Sequence, residues 1–582
     1  MNKFKYPFYI SKKILYISIL FCLFIKFSFA QKAFELESLY IKDMLIDSTV
    51  PRGMCSEDIV CSSELTSQFY KENKFLPVWS NNGSLTSKIK DFIKVINLSY
   101  EDGLTPPKYH INEINTLLNK IKSNNKSFFD FSSSNLEKNP DLISQLGDLD
   151  LLLTDAFFLY ASHLVYGENI VINKNKKGKT FYFSQMFDKK SVDLFKEFNK
   201  ALNGNIKDVL ANLAPRYSGY IKLKEKLLEY LAIADNGDWR KIPSGKKLKI
   251  GDHGIRVSLL QKRLRATGEL DINEKNIVED AVFDKNLEDA VMRFQDSHDL
   301  DVDGEVSTET LKELNVPVAT RIKQIKINMD RLRLLPNDLG ERYVIINIPN
   351  FLLEIYDKKH LVLDMPVIVG RVGWRSCILS SKIINMEINP YWYVPRNIAV
   401  KEILPELKND PDVLKQNEIR TFKKIDGKDI EIDSSKEDWA NVESKNFKYL
   451  FRQDPGILNP LGKVKFVFPN YCTIFLHDTP SPDLFTYSRR DFSHGCIRIG
   501  KPLELAAYLI ENQAPWTKEK LLSKIESGKQ ETIKLANPLN IYVIYETVWV
   551  DANNVLQFRE DIYNMNNFPV TIDKPDSDSD DD

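Results

Sequence analysis

The sequence of 582 residues lacks net charge: 80 Lys and Arg stand against 81 Asp and Glu, leaving -1 at neutral pH. Nucleic-acid binders carry a basic excess, so that class is set aside. Cysteine is scarce, at six residues. No Cys/His cluster has zinc-ligand spacing, so neither a metal nor another cofactor is expected. Long apolar runs are missing as well. Beyond the N-terminal segment, none approaches the roughly 20 residues of a membrane-spanning helix. With 43% hydrophobic and 28% charged residues, the composition excludes a collagen-like repeat or general disorder. The length points to two to four domains.

At the N-terminus, Lys12 and Lys13 precede an apolar run from Ile14 to Ile25, with small residues at Ser28 and Ala30. This pattern is read as a signal peptide over 1–30, cleaved after Ala30, or as an anchor if uncleaved. Either way the rest is exported, and the expected location is the periplasm, with no transmembrane span in the mature chain. Cys22 leaves with the signal, so an odd number of cysteines remains. In an oxidising compartment that leaves one thiol unpaired, which asks for a chemical reason. Cys55 and Cys61 are spaced for a small disulfide loop. Cys377 and Cys472 have no motif around them and are read as small core residues.

The expected fold class is multidomain α+β. A helical scaffold domain spans 31–245, with the apolar helix around Leu149–Tyr160 at its centre and turns at Asp102–Pro107. His163 is read as a packed or capping residue. Three short helices follow at 246–316, around Val257–Leu264, Leu287–Gln295 and Ser307–Leu314. A connecting helix occupies 317–340. Short β-branched runs at Tyr343–Ile348, Phe351–Tyr356, Leu361–Val369, Lys465–Phe468, Cys472–His477 and Pro538–Val550 then predict a sheet domain over 341–565. Its strands are interrupted at 400–463 by a charged stretch too long for a passive loop, read as a lid. The acidic segment 566–582 is expected to be disordered.

The chemistry concentrates in His477-Asp-Thr-Pro480 and Ser493-His-Gly-Cys-Ile-Arg498. A cysteine becomes nucleophilic when an imidazole accepts its proton, and the ion pair can form near neutral pH. His477 at a strand end is the expected proton acceptor, with His494 as the supporting alternative. Gly495 lets a substrate carbonyl approach the backbone, so the Gly495 and Cys496 amides can face a developing oxyanion. Arg498 is placed to pair with a substrate carboxylate. Ser493 and Trp392 complete the substrate-binding candidates. These residues by themselves establish a cysteine–histidine acyl-transfer site.

The pattern of a histidine, a gap of 15 residues and Ser-His-Gly-Cys resembles the L,D-transpeptidase catalytic domain. The resemblance runs from about Arg342 to Tyr563 and includes Asn389-Pro-Tyr-Trp-Tyr-Val-Pro395. The unit at 246–316 is similar to the small peptidoglycan-binding domain, and the domain order to large multidomain L,D-transpeptidases of Gram-negative bacteria. Asp478 stands where many members have Gly, as in the large branch, and Arg371–Ile378 lacks a Thr-Pro common there. The resemblance implies a Cys496 thioester on a tetrapeptide stem, release of D-alanine and a 3→3 cross-link between meso-diaminopimelate residues. Peptidoglycan stem peptides and glycan strands are the implied partners, with cell-wall synthesis proteins as further candidates. Hydrolysis at the same site and a non-catalytic wall-binding scaffold are the competing readings.

Overall fold

The computed structural model describes residues 31–32, 34–46, 63–81, 84–124, 140–168, 173–174, 180–181, 191–271 and 281–566. The expected signal peptide, the Cys55–Cys61 loop and the acidic tail beyond 566 lie outside the described residues. Among those described, no helix is long and apolar enough to cross a membrane.

The chain divides into two compact units. The first is helical and is built around Pro140–Tyr166, a helix longer than the apolar run that signals it. Residues Leu151 to Ala161, Thr154 and Asp155 included, are all buried, so this helix is surrounded by others. Aromatic side chains fill the space between them: Phe198 lies 4.6 Å from Phe157 and 4.9 Å from Phe69. His163 is a packed residue here, with its Nδ1 at 3.0 Å from the Tyr109 hydroxyl. Burial pushes its imidazole down to about 3, so it stays neutral. The helix Val318–Leu334, expected as a connector, belongs to this unit. Its Arg333 is fully buried, donating to Asp330 at 2.6 Å and to the Tyr220 hydroxyl at 2.7 Å.

The second unit holds the three expected short helices, observed at Ile255–Thr267, Lys285–Ser297 and Thr308–Leu314. Asp284 caps the second through the Leu287 amide at 2.9 Å. Val257, Leu260, Leu264, Leu287, Phe294 and Leu314 form a core of their own. His298, after the second helix, stacks on Phe558 of the sheet domain at 4.8 Å.

The sheet domain is built on a nine-stranded sheet that closes on itself. From Asp491–Ser493 the order runs through His360–Gly370, Ile497–Ile499, Leu476–His477, Val464–Val467, Leu379–Ile388, Glu531–Ile544 and Arg342–Asn347 to Leu352–Asp357, which pairs back onto His360–Gly370. Asp491–Ser493, Ile497–Ile499 and Leu379–Ile388 were not among the expected strands, and two of the expected ones differ in extent. The one expected at Cys472–His477 is reduced to Leu476–His477, because Asn470 Oδ1 accepts from the Cys472 and Ile474 amides and Thr473 turns at φ 55°. The one expected at Pro538–Val550 runs from Glu531 to Ile544, with the register shifting between Lys534 and Leu539, and Val548–Val550 is a separate strand paired with Leu556–Phe558. Pro538 has no N–H to give the ladder, and an irregularity there absorbs it.

Cys377 and Cys472 are not isolated core residues. They form a disulfide with Cα atoms 6.5 Å apart across a sequence separation of 95. Nothing local in the sequence announces the pair, because only the closing of the sheet brings the two loops together; Tyr471 also reaches across to the Ile378 carbonyl at 3.1 Å. A cross-link over so long a loop restricts the unfolded chain by on the order of 4–5 kcal/mol in the chain-entropy picture. Replacing both cysteines by alanine is therefore expected to lower the melting temperature of the second unit by about 10 °C. Wild-type protein with reductant should melt like the double variant without it. Equal melting temperatures for all samples would remove the disulfide's stabilising role.

Candidate active site

Strand register assembles the site. Cys496 stands at the entry of Ile497–Ile499, which runs parallel to Leu476–His477 and sets Arg498 opposite His477. The next strand sets Lys465 opposite His477, and the one beyond sets Glu387 opposite Lys465. Because side chains alternate across a sheet, Arg498, His477, Lys465 and Glu387 form one row on one face. Their neighbours Ile497, Leu476, Phe466 and Met386 form the matching row on the other face and are fully buried. Cys496, two residues before Arg498, falls on the polar face.

The turn into Cys496 is held from both sides. Gly495 sits at φ +108°, a conformation that favours glycine, and its carbonyl accepts from Ser376 Oγ at 2.7 Å. Ser376 in turn accepts from the Gly370 amide at 2.9 Å, while the Tyr563 hydroxyl donates to the Gly370 carbonyl at 2.5 Å. Ser493, a substrate-binding candidate in the sequence, serves the turn instead: it is buried, its Oγ donates to the Cys496 carbonyl at 2.5 Å and accepts the Gly495 amide at 3.1 Å. The Gly495 N–H is thus engaged by Ser493. Of the two expected oxyanion donors, the Cys496 amide remains.

His477 is buried, and its Nδ1 donates to the Asp478 carbonyl at 2.6 Å, leaving Nε2 as the basic nitrogen of the neutral ring. Burial, and then the nearby Arg498 charge, push the imidazole down to about 3. Burial pushes the Cys496 thiol up to about 11, against the Phe475 amide and the charges of Lys465 and Arg498. Both groups sit where desolvation penalises charge, which favours the neutral pair over the ion pair that the residue types allow. Cys496 nevertheless keeps a partly exposed surface and is the free cysteine among the described residues.

His494 points into a different set of contacts. Its Nε2 lies 2.7 Å from Glu402 Oε1 and 3.1 Å from Arg371 Nη2, with Trp374 edge-on at 5.2 Å. Glu402 belongs to the helical start of the inserted stretch and also accepts from Arg371 Nη2 at 2.5 Å. That stretch is a folded subdomain. Ala399, Leu404, Leu407, Trp439, Phe447 and Phe451 form its core, and Ile419–Ile425, Lys428–Ile432 and Tyr449–Gln453 form a sheet with Trp392–Tyr393. Trp392 therefore sits in the insert's sheet, opposite Gln453.

Asp478 has a local role in the turn: its Oδ2 accepts the Lys463 amide at 2.7 Å and its Oδ1 the Thr479 amide at 2.7 Å. The sequence reading did not single out Ser376, Tyr563, Glu402, Lys465 or Glu387. Period-two alternation from His477 and Arg498 could have pointed to Lys465, but the pairing register is not written in any one strand. Among the described residues no group of His, Cys, Asp and Glu is arranged to hold a metal ion.

Comparison with known proteins adds to this geometry. Residues 341–516 match the L,D-transpeptidase catalytic domain, residues 64–227 a scaffold domain, and residues 253–314 the "Putative peptidoglycan binding domain". A Haemophilus influenzae protein named "Putative L,D-transpeptidase" is 30% identical over 254 residues, covering 44% of this chain and 49% of that protein. The match thus spans about half the length of that relative. An L,D-transpeptidase structure from Mycobacterium smegmatis is 11% identical, covers 35% of this chain and 58% of its own, and has a TM-score of 0.16. One from Stackebrandtia nassauensis is 10% identical, covers 51% and 94%, and has a TM-score of 0.19. Overlays this distant carry no weight for the site.

Proposed function

We propose, for a chain that carries an L,D-transpeptidase catalytic domain at residues 341–516, that it transfers acyl groups between peptidoglycan stem peptides through a Cys496 thioester. The carrying observation is a free, partly exposed thiol at the entry of the strand that pairs with the His477 strand. The thiol gives its proton to His477 as its sulfur attacks the carbonyl carbon between the third residue of the stem and the terminal D-alanine. The tetrahedral oxyanion is met by the Cys496 amide. Collapse breaks the C–N bond, and the His477 proton leaves with the D-alanine amine. An acceptor amine, the side-chain amine of meso-diaminopimelate on a neighbouring stem, then attacks the thioester and restores the thiol, giving a 3→3 link.

The neutral resting pair suits this order, since charge develops only when the substrate is in place. In this reading the segment 400–463 is a lid, latched near the site by Glu402 on His494 and Arg371, and it favours amine over water as acceptor. The helices at 253–314 would hold the enzyme on glycan, and the work would be done outside the cytoplasm, in the periplasm. Hydrolysis at the same site is the second reading, because water can resolve the same thioester.

Incubating the purified mature chain with disaccharide-tetrapeptides and analysing the products by mass spectrometry tests this. Cross-linked dimer together with free D-alanine is the expected result. Tripeptide without dimer would give the site to hydrolysis, and unchanged tetrapeptide would end the acyl-transfer reading.

A further inference from the structure

One charged pair on the polar face has no part in the steps above. Lys465 Nζ lies 3.3 and 3.4 Å from the two Glu387 carboxylate oxygens. A closed charge-assisted bond is shorter, about 2.7–2.9 Å. The pair is loose and partly open to solvent, at 19% and 25% side-chain exposure. Lys465 also lies over the Phe475 ring at 4.5 Å, and Phe475 in turn packs edge-on to His477 at 5.6 Å. The ammonium is thereby held beside the proton acceptor. An ammonium has three donors and a carboxylate about four lone-pair sites, so this pair leaves bonding capacity on both partners.

We propose that Lys465 and Glu387 form a subsite for the free amino-acid end of the diaminopimelate side chain of the donor stem, Lys465 meeting its carboxylate and Glu387 its ammonium. This rests on the acyl-transfer reading and names the part of the substrate that is recognised. That end of the side chain carries a carboxylate and an ammonium on one carbon, and a Lys/Glu pair of opposite sense is its complement. The spacing fits. Adjacent strands lie about 4.8 Å apart, so Lys465 is one strand and Glu387 two strands from His477. Cys496 enters the strand on the other side of His477, so a scissile carbonyl there is about 10 Å from the Lys465 backbone and about 14 Å from that of Glu387, a gap that the diaminopimelate side chain and the long Lys465 side chain close together, with the Glu387 carboxylate drawn to Lys465 Nζ. Arg498 lies on the opposite side of His477 in the row, with its Nε buried and unpartnered. It is left for the carboxylate of the leaving D-alanine, so the two carboxylates of the donor are sorted to the two sides of the proton acceptor.

The test measures D-alanine release by the purified mature chain from three disaccharide-tetrapeptide donors: one with diaminopimelate, one with its side-chain carboxylate amidated, and one with lysine in its place. For the wild type, kcat/KM is expected to fall about 10- to 100-fold on both modified donors, the usual range for losing one hydrogen-bonded charge. Lys465→Met should lose a similar factor on the diaminopimelate donor and no longer distinguish it from the amidated one. Glu387→Gln should weaken all donors that carry the ammonium while still rejecting the amidated one. Comparing donors within one variant cancels any effect of the lost charge on the thiol. Equal wild-type rates on the three donors, or full discrimination retained by Lys465→Met, would overturn the subsite and leave a structural cross-strand pair. The wild-type comparison needs no variant to fold. If the wild type releases D-alanine from no donor, the acyl-transfer reading itself fails, and the subsite with it.

Discussion

Cys496→Ala is expected to abolish both D-alanine release and cross-linked dimer, leaving a folded protein that forms no acyl adduct. The reason is chemical as well as geometric. The acyl chain must rest on a nucleophile between the two half-reactions, and Cys496 is the free cysteine among the described residues. The disulfide-bonded Cys377 and Cys472 have no thiol to offer in its place. Hydroxyls near the turn are engaged: Ser493 donates to the Cys496 carbonyl and Ser376 to the Gly495 carbonyl. Removing one sulfur from a turn held by these backbone bonds should disturb packing little, so the melting temperature is expected to stay close to that of the wild type. Intact-protein mass spectrometry during turnover is the direct measurement, with an adduct of donor stem less D-alanine on the wild type and none on the variant. Wild-type levels of dimer from Cys496→Ala would remove the thioester from the mechanism.

Much of this arrangement was legible along the chain wherever it is set by neighbours in sequence. The three helices after residue 250 were marked by apolar spacing and turn residues, and the structure has them at Ile255–Thr267, Lys285–Ser297 and Thr308–Leu314. The Ser-His-Gly-Cys turn was legible because its bonds are made within four residues, Ser493 to Cys496. What was hidden depends on which strands meet. Lys465 and Glu387 are 78 residues apart and become neighbours only through the register of two strands. The disulfide was hidden for the same reason. The burial of Cys496 and His477 was hidden too, because sequence shows which groups are near in type, not how deeply both are desolvated.

The insert shows another limit. Length and charge between 400 and 463 suggest a surface lid, yet Leu407, Leu414, Trp439 and Phe451 are buried in a core that spans the segment. The apolar residues are spread too thinly along the chain to read as a core before its strands pair. The segment is a folded body, so excising its middle would expose that core rather than open the site. Its hold on the site is better addressed through single contacts such as Glu402 with His494.

That contact bears on the division of labour between the two histidines. His477→Ala is expected to lower the acylation rate by about 10²- to 10⁴-fold, the usual range for loss of a positioned proton acceptor. His494→Ala should lower it far less. His477 is fixed by its Nδ1 bond to the Asp478 carbonyl, lies on the same sheet face as Cys496, and is held by burial in the neutral form from which a proton acceptor starts. The His494 ring is occupied by Glu402 and Arg371 and packed against Trp374, so its loss loosens the insert's hold without removing the base. The two losses should also differ in kind. For His494→Ala the ratio of dimer to tripeptide is expected to fall more than the rate of thioester formation, whereas for His477→Ala both products fall together. Rapid-quench measurement of the acyl-enzyme with each variant, followed by product analysis, separates the two. If His494→Ala proves the more damaging to acylation, the proton acceptor is His494, and the role of His477 is to hold the strand that carries it.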